Sequence, residues 1–395
     1  MKNNWQRKKL GEVCEIITGN TPKTSIIDYY GNSYLWAGPS DLDQGKYILE
    51  TKKKLSNKGF YESGIRRISS GSVLMSCIGN IGKLSIAKKE MATNQQINSF
   101  VPIKNLVDSE YLYYILQTKI KDFESKSSKT TVPIINKSKC SEIEIPLPSL
   151  EEQKRIVKRL ERVLGEIQNA KRINEEALSD INQLLPAELS KIFAGGKEKG
   201  WEEKELGNSS ILKMTSGGTP KRSMESYYKG DIVWLKSGEL KDSVNILDSK
   251  EKISKEAVQK SSAKIFSKGA VLFAMYGATA GKTGILGIDA STNQAIAGMT
   301  VNKEKLNNKY LYYFLLKKRN DILLKAWGGA QPNLSQTILK KIKIPLPSLS
   351  EQKEIVDRLD AISEKAKKLR ELHIQNTHSL TSLEQSVLSQ AFQEE

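Results

Sequence analysis

The hexapeptide Ile145-Pro-Leu-Pro-Ser-Leu150 returns 199 residues later as Ile344-Pro-Leu-Pro-Ser-Leu349, and each copy leads into a long helical pattern. Prolines at the second and fourth positions hold the chain extended and cannot lie inside a helix. Each copy must therefore turn a strand-like tail (Glu142 to Leu147, Lys341 to Leu346) sharply into a helix. Ser149 and Ser348 stand three residues before Glu152 and Glu351. That spacing predicts a reciprocal cap, in which hydroxyl and carboxylate each satisfy an orphan backbone donor at the helix start.

The motif belongs to a larger repeat. Trp5 to Gly11 matches Trp201 to Gly207, and Thr18-Gly-Asn-Thr-Pro-Lys23 matches Ser216-Gly-Gly-Thr-Pro-Lys221. Tyr29-Tyr30, Trp36, Gly71 to Met75, Thr93-Asn-Gln95 and Tyr111-Leu-Tyr-Tyr114 return as Tyr227-Tyr228, Trp234, Gly269 to Phe273, Thr292-Asn-Gln294 and Tyr310-Leu-Tyr-Tyr313. The offset creeps only from 196 to 199, so the chain is a direct duplication of one module plus its helix. Short β-branched runs bounded by glycine predict strands at Ser72 to Ile78, Ala270 to Tyr276, Ile97 to Ile103 and Ile296 to Val301. Helical spacing covers Ser109 to Phe123 and Asn308 to Leu324. The expected fold is α+β, with modules at 1–149 and 197–348 and helical segments at 150–196 and 349–395.

In the second helical segment Leu359, Ile362, Ala366, Leu369, His373, Asn376, Leu380, Leu383 and Val387 alternate spacings of three and four. Their counterparts are Leu160, Val163, Ile167, Ala170, Asn174, Ala177, Ile181, Leu184 and Glu188. Both rows read as coiled-coil seams with one polar interruption. The simplest solution is an antiparallel pair related by a pseudo-two-fold axis, which sets Asn174 opposite His373 or Asn376. The alternative is that each helix packs on its own module.

The net charge of +17 is unevenly placed. Residues 1–150 carry 22 Lys/Arg against 14 Asp/Glu and residues 197–349 carry 26 against 14, whereas 151–196 balance at 8 and 8 and 350–395 carry 6 against 9. A polyanion would meet the modules rather than the helices. No apolar run approaches the roughly 18 residues of a membrane span, and Met1 to Leu10 has no apolar signal core, so a cytoplasmic location without membrane contact is expected. Cys14, Cys77 and Cys140 align with Leu212, Met275 and Leu339, which makes them core fillers. With only two histidines, no metal site is expected.

Gly277-Ala-Thr-Ala-Gly281-Lys282-Thr283 approaches a phosphate-binding loop but is one residue short between its glycines, and Gly79-Asn-Ile-Gly82-Lys83-Leu84 has no hydroxyl after the lysine. His373 and His378 lie on the helical seam segment, away from any candidate nucleophile. No stretch carries a pattern expected of a nucleic-acid methyltransferase. The sequence offers no catalytic constellation.

The doubled proline motif, the Gly-x-Thr-Pro loops, the Thr-Asn-Gln pairs and the tandem layout together resemble the DNA specificity subunit of type I restriction–modification enzymes. The resemblance implies two target-recognition domains, each reading half of a split, asymmetric site in double-stranded DNA. It also implies helices that dock methyltransferase subunits, restriction subunits as further partners, and no cofactor on this chain. S-adenosylmethionine, ATP and Mg would act only on partner subunits. A seam from 160 to 188 is about 42 Å long at ~1.5 Å per residue, slightly more than the roughly 34–36 Å of one B-DNA turn. The candidate DNA contacts are basic or amide side chains near glycine or proline. They are Lys23, Lys83, Lys129 and Thr130 in the first module, and Lys221, Arg222, Lys282, Gln331 and Asn333 in the second. Lysines would meet phosphates, while Arg222, Gln331 and Asn333 reach base edges. The repeated Asn94-Gln95 and Asn293-Gln294, with Trp36 and Trp234, are assigned to bracing the fold. A basic assembly scaffold and a nucleotide-dependent DNA-processing enzyme are the competing readings.

Overall fold

The computed structural model describes residues 5–128, 132–196, 198–325 and 334–393. The chain forms two compact units, Met1–Asn174 with Gln375–Glu395, and Glu175–Ile374. Each unit thus holds one module and parts of both long helices, Leu150–Ala194 and Leu349–Gln390.

In the first unit the main sheet runs in the order Cys14–Thr18, Ile97–Pro102, Val73–Ser76, Leu84–Ala87, Tyr47–Ile48. Because side chains alternate across a strand, Val73 and Met75 enter one core with Tyr111 and Leu112, while Leu74 enters another with Leu35, Ile48 and Ile97. Burial on both faces explains why this strand reads as a continuous apolar run rather than an alternating one. A second sheet, Tyr30–Gly31, Lys53–Leu55, Tyr34–Ala37, Met91–Thr93, Arg67–Ile68, is centred on a parallel pairing of Ala92 with Trp36. The second unit repeats the main sheet with Leu212–Ser216, Ile296–Val301, Val271–Ala274, Thr283–Leu286 and Ser243–Ile246. Its smaller sheet has four strands: Lys252–Ile253, Ile232–Leu235, Ala290–Thr292 and Ile265–Phe266. The expected helix over Ser109 to Phe123 is broken at Lys119 into Ser109–Thr118 and Ile120–Lys126, whereas Asn308–Leu324 is continuous.

The doubled motif is the joint between module and helix. Its tail Glu144–Leu147 pairs antiparallel with Gln6–Lys9, and Lys343–Leu346 pairs with Glu202–Glu205. These ribbons have only two strands, so a proline removes little from the ladder. Tyr111 donates its hydroxyl to the Pro146 carbonyl at 2.8 Å, and Tyr310 donates to Pro345 at 2.9 Å. Behind the motif, Gln153 is fully buried. Its Oε1 accepts from the Asp108 amide at 2.8 Å, and its Nε2 donates to the carbonyls of Leu106 (3.1 Å) and Pro148 (2.9 Å). Gln352 makes the same three bonds, to Asn307, Lys305 and Pro347. Asp108 and Asn307 in turn cap the buried tyrosine helices, their side chains accepting from the amides of Glu110 and Tyr111, and of Lys309 and Tyr310. One glutamine per copy therefore ties a helix cap, the proline turn and the long helix together.

The reciprocal cap is half made. Ser149 and Ser348 accept from the amides of Glu152 (3.3 Å) and Glu351 (3.2 Å). The carboxylates face elsewhere, Glu152 to Arg155 at 2.8 Å and Glu351 to Lys199 at 3.5 Å. A cation within reach outcompetes the exposed backbone amide for an ionised carboxylate.

The two long helices pack antiparallel. In the first unit Gln168 and Lys171 meet Glu384, and Asn174 Nδ2 donates to Thr377 Oγ1 at 2.9 Å. In the second, Arg370 donates to Asn182 at 3.0 Å and Arg358 pairs with Glu188 at 2.5 Å. Leu160, Ile167, Asn174, Ile181 and Leu359 are buried, and Val163, Ile362, His373 and Leu380 are half-buried. Leu184, Leu369 and Leu383 depart from the expected seam and are exposed, as is Asn376. A strict 3.5-residue repeat drifts about 20° per heptad around a straight helix. The packed face accordingly moves to half-buried Leu185 and buried Leu189 on one helix, and to half-buried Thr377 and Glu384 on the other. Each helix ends against a module core, Phe392 on Tyr111 (ring centroids 5.3 Å apart) and Phe193 on Tyr310 (5.5 Å). Among the described residues no helix is long and apolar enough to cross a membrane.

Candidate nucleic-acid interface

The Gly-x-Thr-Pro loop is built the same way in each unit. Gly19 donates to Ile97 at 3.1 Å and Asn20 to Thr93 at 3.0 Å; Gly217 donates to Ile296 at 3.2 Å and Gly218 to Thr292 at 2.9 Å. A Cβ on Gly19 or Gly217 would lie 2.2 or 2.1 Å from the carbonyl of Thr93 or Thr292, so the close approach requires glycine. Trp36 Nε1 donates to Asn20 O (3.2 Å) and Tyr30 to Pro22 O (3.0 Å). Trp234 and Tyr228 donate to Gly218 O (3.0 Å) and Pro220 O (2.7 Å). Thr21 donates to Gln95 Oε1 at 2.5 Å, and Thr219 donates to Gln294 Oε1. The Thr-Asn-Gln segments and both tryptophans thus lie under the loop and hold it.

On this scaffold each loop exposes a lysine, and the side chain after it differs. The first loop presents Lys23 and Thr24, the second Lys221 and Arg222. Beside them stand Arg66, whose guanidinium donates to the Thr18 carbonyl at 2.7 Å, and Lys264, which donates to Thr215 Oγ1 at 2.7 Å. Neither stands next to a glycine or proline, so the sequence pattern does not pick them out. The signal was a basic residue retained at offset 198 in an otherwise divergent stretch.

Comparison with known proteins bears on this duplicated scaffold. The family described as type I restriction modification DNA specificity domain matches the chain twice, over residues 2–178 and 198–377. The chain belongs to that family. The MjaIX type I restriction enzyme specificity subunit of Methanocaldococcus jannaschii is 27% identical over 87% of this chain and 83% of its own. The HindI specificity subunit of Haemophilus influenzae is 33% identical over 47% of this chain and 42% of its own. Among solved structures, a chain from a study of complex assembly and conformational transition in the type I R-M system superposes with a TM-score of 0.80 at 22% identity, covering 99% of this chain and 98% of that one. The HsdS subunit of Thermoanaerobacter tengcongensis superposes at 0.66 with 22% identity over 99% and 97%. At such identities the superpositions speak for the fold.

Membership of the specificity family supports a non-catalytic role, and the Gly-Lys turns fit one. Gly277 to Lys282 joins Val271–Ala274 to Thr283–Leu286 as an antiparallel hairpin, so no helix N-terminus follows the glycines. The amides at its far side are taken: Ala280 donates to Gly277, Gly281 to Ala274, Lys282 to Thr279 and Thr283 to Asp242. Lys282 pairs with Asp242 at 2.9 Å, Arg319 binds the same carboxylate, and Lys83 pairs with Asp43 at 2.7 Å. A phosphate loop needs a helix N-terminus behind its glycines and an uncommitted lysine, and this turn has neither. Of the remaining sequence-derived candidates, Lys129, Thr130, Gln331 and Asn333 lie outside the described residues. All three cysteines are buried, and burial pushes their thiols up, to about 11 for Cys77 and about 12 for Cys14 and Cys140. Such thiols act as apolar filling rather than as nucleophiles.

Proposed function

We propose that this chain is the DNA-recognition subunit of a type I restriction–modification complex, each module reading one half of a split, asymmetric double-stranded site. One observation carries the reading: the same bonds hold the same loop twice, while the residue presented beside its shared lysine changes from Thr24 to Arg222. A shared scaffold with divergent decoration suits two half-sites of different sequence. Lys23, Lys221, Arg66 and Lys264 supply positive charge for phosphates. Lys83 is neutralised by Asp43, whereas Lys282 and Arg319 share Asp242 and leave one positive charge between them. The helical segments, near neutral in charge, would carry methyltransferase subunits, with restriction subunits completing the assembly. S-adenosylmethionine, ATP and Mg would act on those partners and not on this chain.

Methylome sequencing of a host expressing the chain with its methyltransferase partner tests the proposal. A split, asymmetric methylated motif is expected, and a palindromic or absent motif would overturn it. Binding in vitro should weaken steeply with salt through counterion release. A salt-independent association would favour an assembly scaffold instead.

A further inference from the structure

The second module carries a charged cluster that the first lacks, on the platform the two share. Arg222 lies 4.4 Å above the Tyr228 ring and 5.1 Å from that of Trp234, and its Nη1 pairs with Glu251 Oε2 at 2.7 Å. Lys236 binds the other Glu251 oxygen. Its hydrogen bond, opposed by partial burial and helped by Arg222, holds the Glu251 carboxyl below the ordinary carboxylate range. At offset 198 these three residues become Thr24, Gly38 and Lys53, so no arginine–carboxylate pair is possible there. The platform itself does not change: Tyr30 and Trp36 meet edge to face at 6.1 Å, and Tyr228 and Trp234 at 5.8 Å.

We infer that Arg222 is a base-reading residue peculiar to the second half-site, that Glu251 is its positioning residue, and that the base is guanine. The inference rests on the DNA-recognition reading above. The Arg222 side chain is 52% exposed, and among the described residues its guanidinium makes one hydrogen bond, to Glu251. A guanidinium has five donors in a rigid fork, so four stay available while rings and carboxylate fix its plane. The adjacent carboxylate decides what it meets. A phosphate approaching Arg222 would meet a cluster whose two positive charges, Arg222 and Lys236, are cut to one by Glu251, whereas an uncharged base edge loses nothing to that carboxylate. The neutral partner with two acceptors matched to an arginine fork is the N7/O6 edge of guanine in the major groove. Thr24, in the equivalent place, has no such fork, so the two half-sites are read differently from one scaffold.

The test uses the full chain with its methyltransferase subunits. The wild-type motif is mapped first by methylome sequencing, and Arg222→Ala, Arg222→Lys and Glu251→Gln are then mapped the same way. Both Arg222 variants should lose guanine preference at one position of one half-site, by roughly tenfold to a hundredfold, with the other half-site unchanged. Lysine should fail because it is a point charge without the fork. Glu251→Gln should relax the same position to a smaller degree. With 7-deazaguanine at that position, which lacks the N7 acceptor, wild-type binding should weaken while Arg222→Ala binding stays as it was. An unchanged motif in Arg222→Ala, or equal weakening on every sequence, would overturn the inference. A wild-type complex that methylates no split motif would sink the DNA-recognition reading itself.

Discussion

Replacing Gln153 by alanine isolates the joint between module and helix. Gln153 has no exposed surface and makes three hydrogen bonds to backbone groups of three different segments. Each such bond is worth about 0.5–1.5 kcal/mol net, and a buried group left without a partner costs about 1–3 kcal/mol. Alanine orphans the amide of Asp108 and the carbonyls of Leu106 and Pro148 together. Some strain relaxes by admitting water, so the expected loss is about 2–4 kcal/mol. For a unit of this size that lowers the midpoint of thermal unfolding by roughly 5–15 °C. Gln153→Glu, the same shape, should cost more, because an ionised carboxylate would face two carbonyls in a dry site. Gln352→Ala should act likewise in the second unit, where the same three bonds occur. Gln385→Ala, exposed on the second long helix, is the control and should change little. Differential scanning calorimetry and urea titration give the comparison. If Gln153→Ala stays within about 0.5 kcal/mol of wild type, the margin expected for surface changes, the joint is held by something other than this glutamine.

Further expectations concern the helices, the helix ends and the thiols. Inserting seven residues into each long helix beside Asn174 and Thr377 adds about 10 Å at ~1.5 Å per residue. If the helices set the distance between half-sites, the spacer selected from a random DNA pool should lengthen by about three base pairs at ~3.4 Å each; an unchanged spacer refutes that. Phe392→Ala removes a buried ring from the Tyr111 core. It should destabilise the first unit by about 3 kcal/mol in chemical denaturation, and Phe193→Ala should do the same in the second. With thiols at about 11 and about 12, the thiolate fraction at pH 8 is roughly one part in a thousand or less. Labelling by an aromatic disulfide should therefore be slow in the native protein and rapid in urea. Fast stoichiometric labelling without denaturant would contradict the assignment of these residues to the core.

The extent to which this protein can be read without its fold varies from residue to residue. The Gly-Thr-Pro loops and Thr-Asn-Gln segments were recognisable as paired features because both copies keep them. That Thr21 bonds Gln95, or that Trp36 supports Asn20, depends on strands distant in sequence lying side by side. Glu152 looked like the partner of Ser149, yet Arg155 takes it and the adjacent Gln153 makes the buried contacts. In sequence Lys282 is a lysine free for phosphate, but the fold sets Asp242, forty residues earlier, beside it. Arg222 was legible as a loop arginine, but Glu251 and the two rings that hold its plane were not.

Local chemistry alone settles a good deal: two tandem α+β modules, a proline-ruled turn into each long helix, apolar seams and a net positive excess confined to the modules. Those follow from backbone sterics, side-chain periodicity and counting, which need no knowledge of the path between distant residues. Tertiary structure alone decides which glutamine closes the joint, where the seam slips away from Leu184, Leu369 and Leu383, and which cations keep their charge free. A hydrogen bond or ion pair is a matter of a few ångströms in space, and only the folded path brings those atoms within reach.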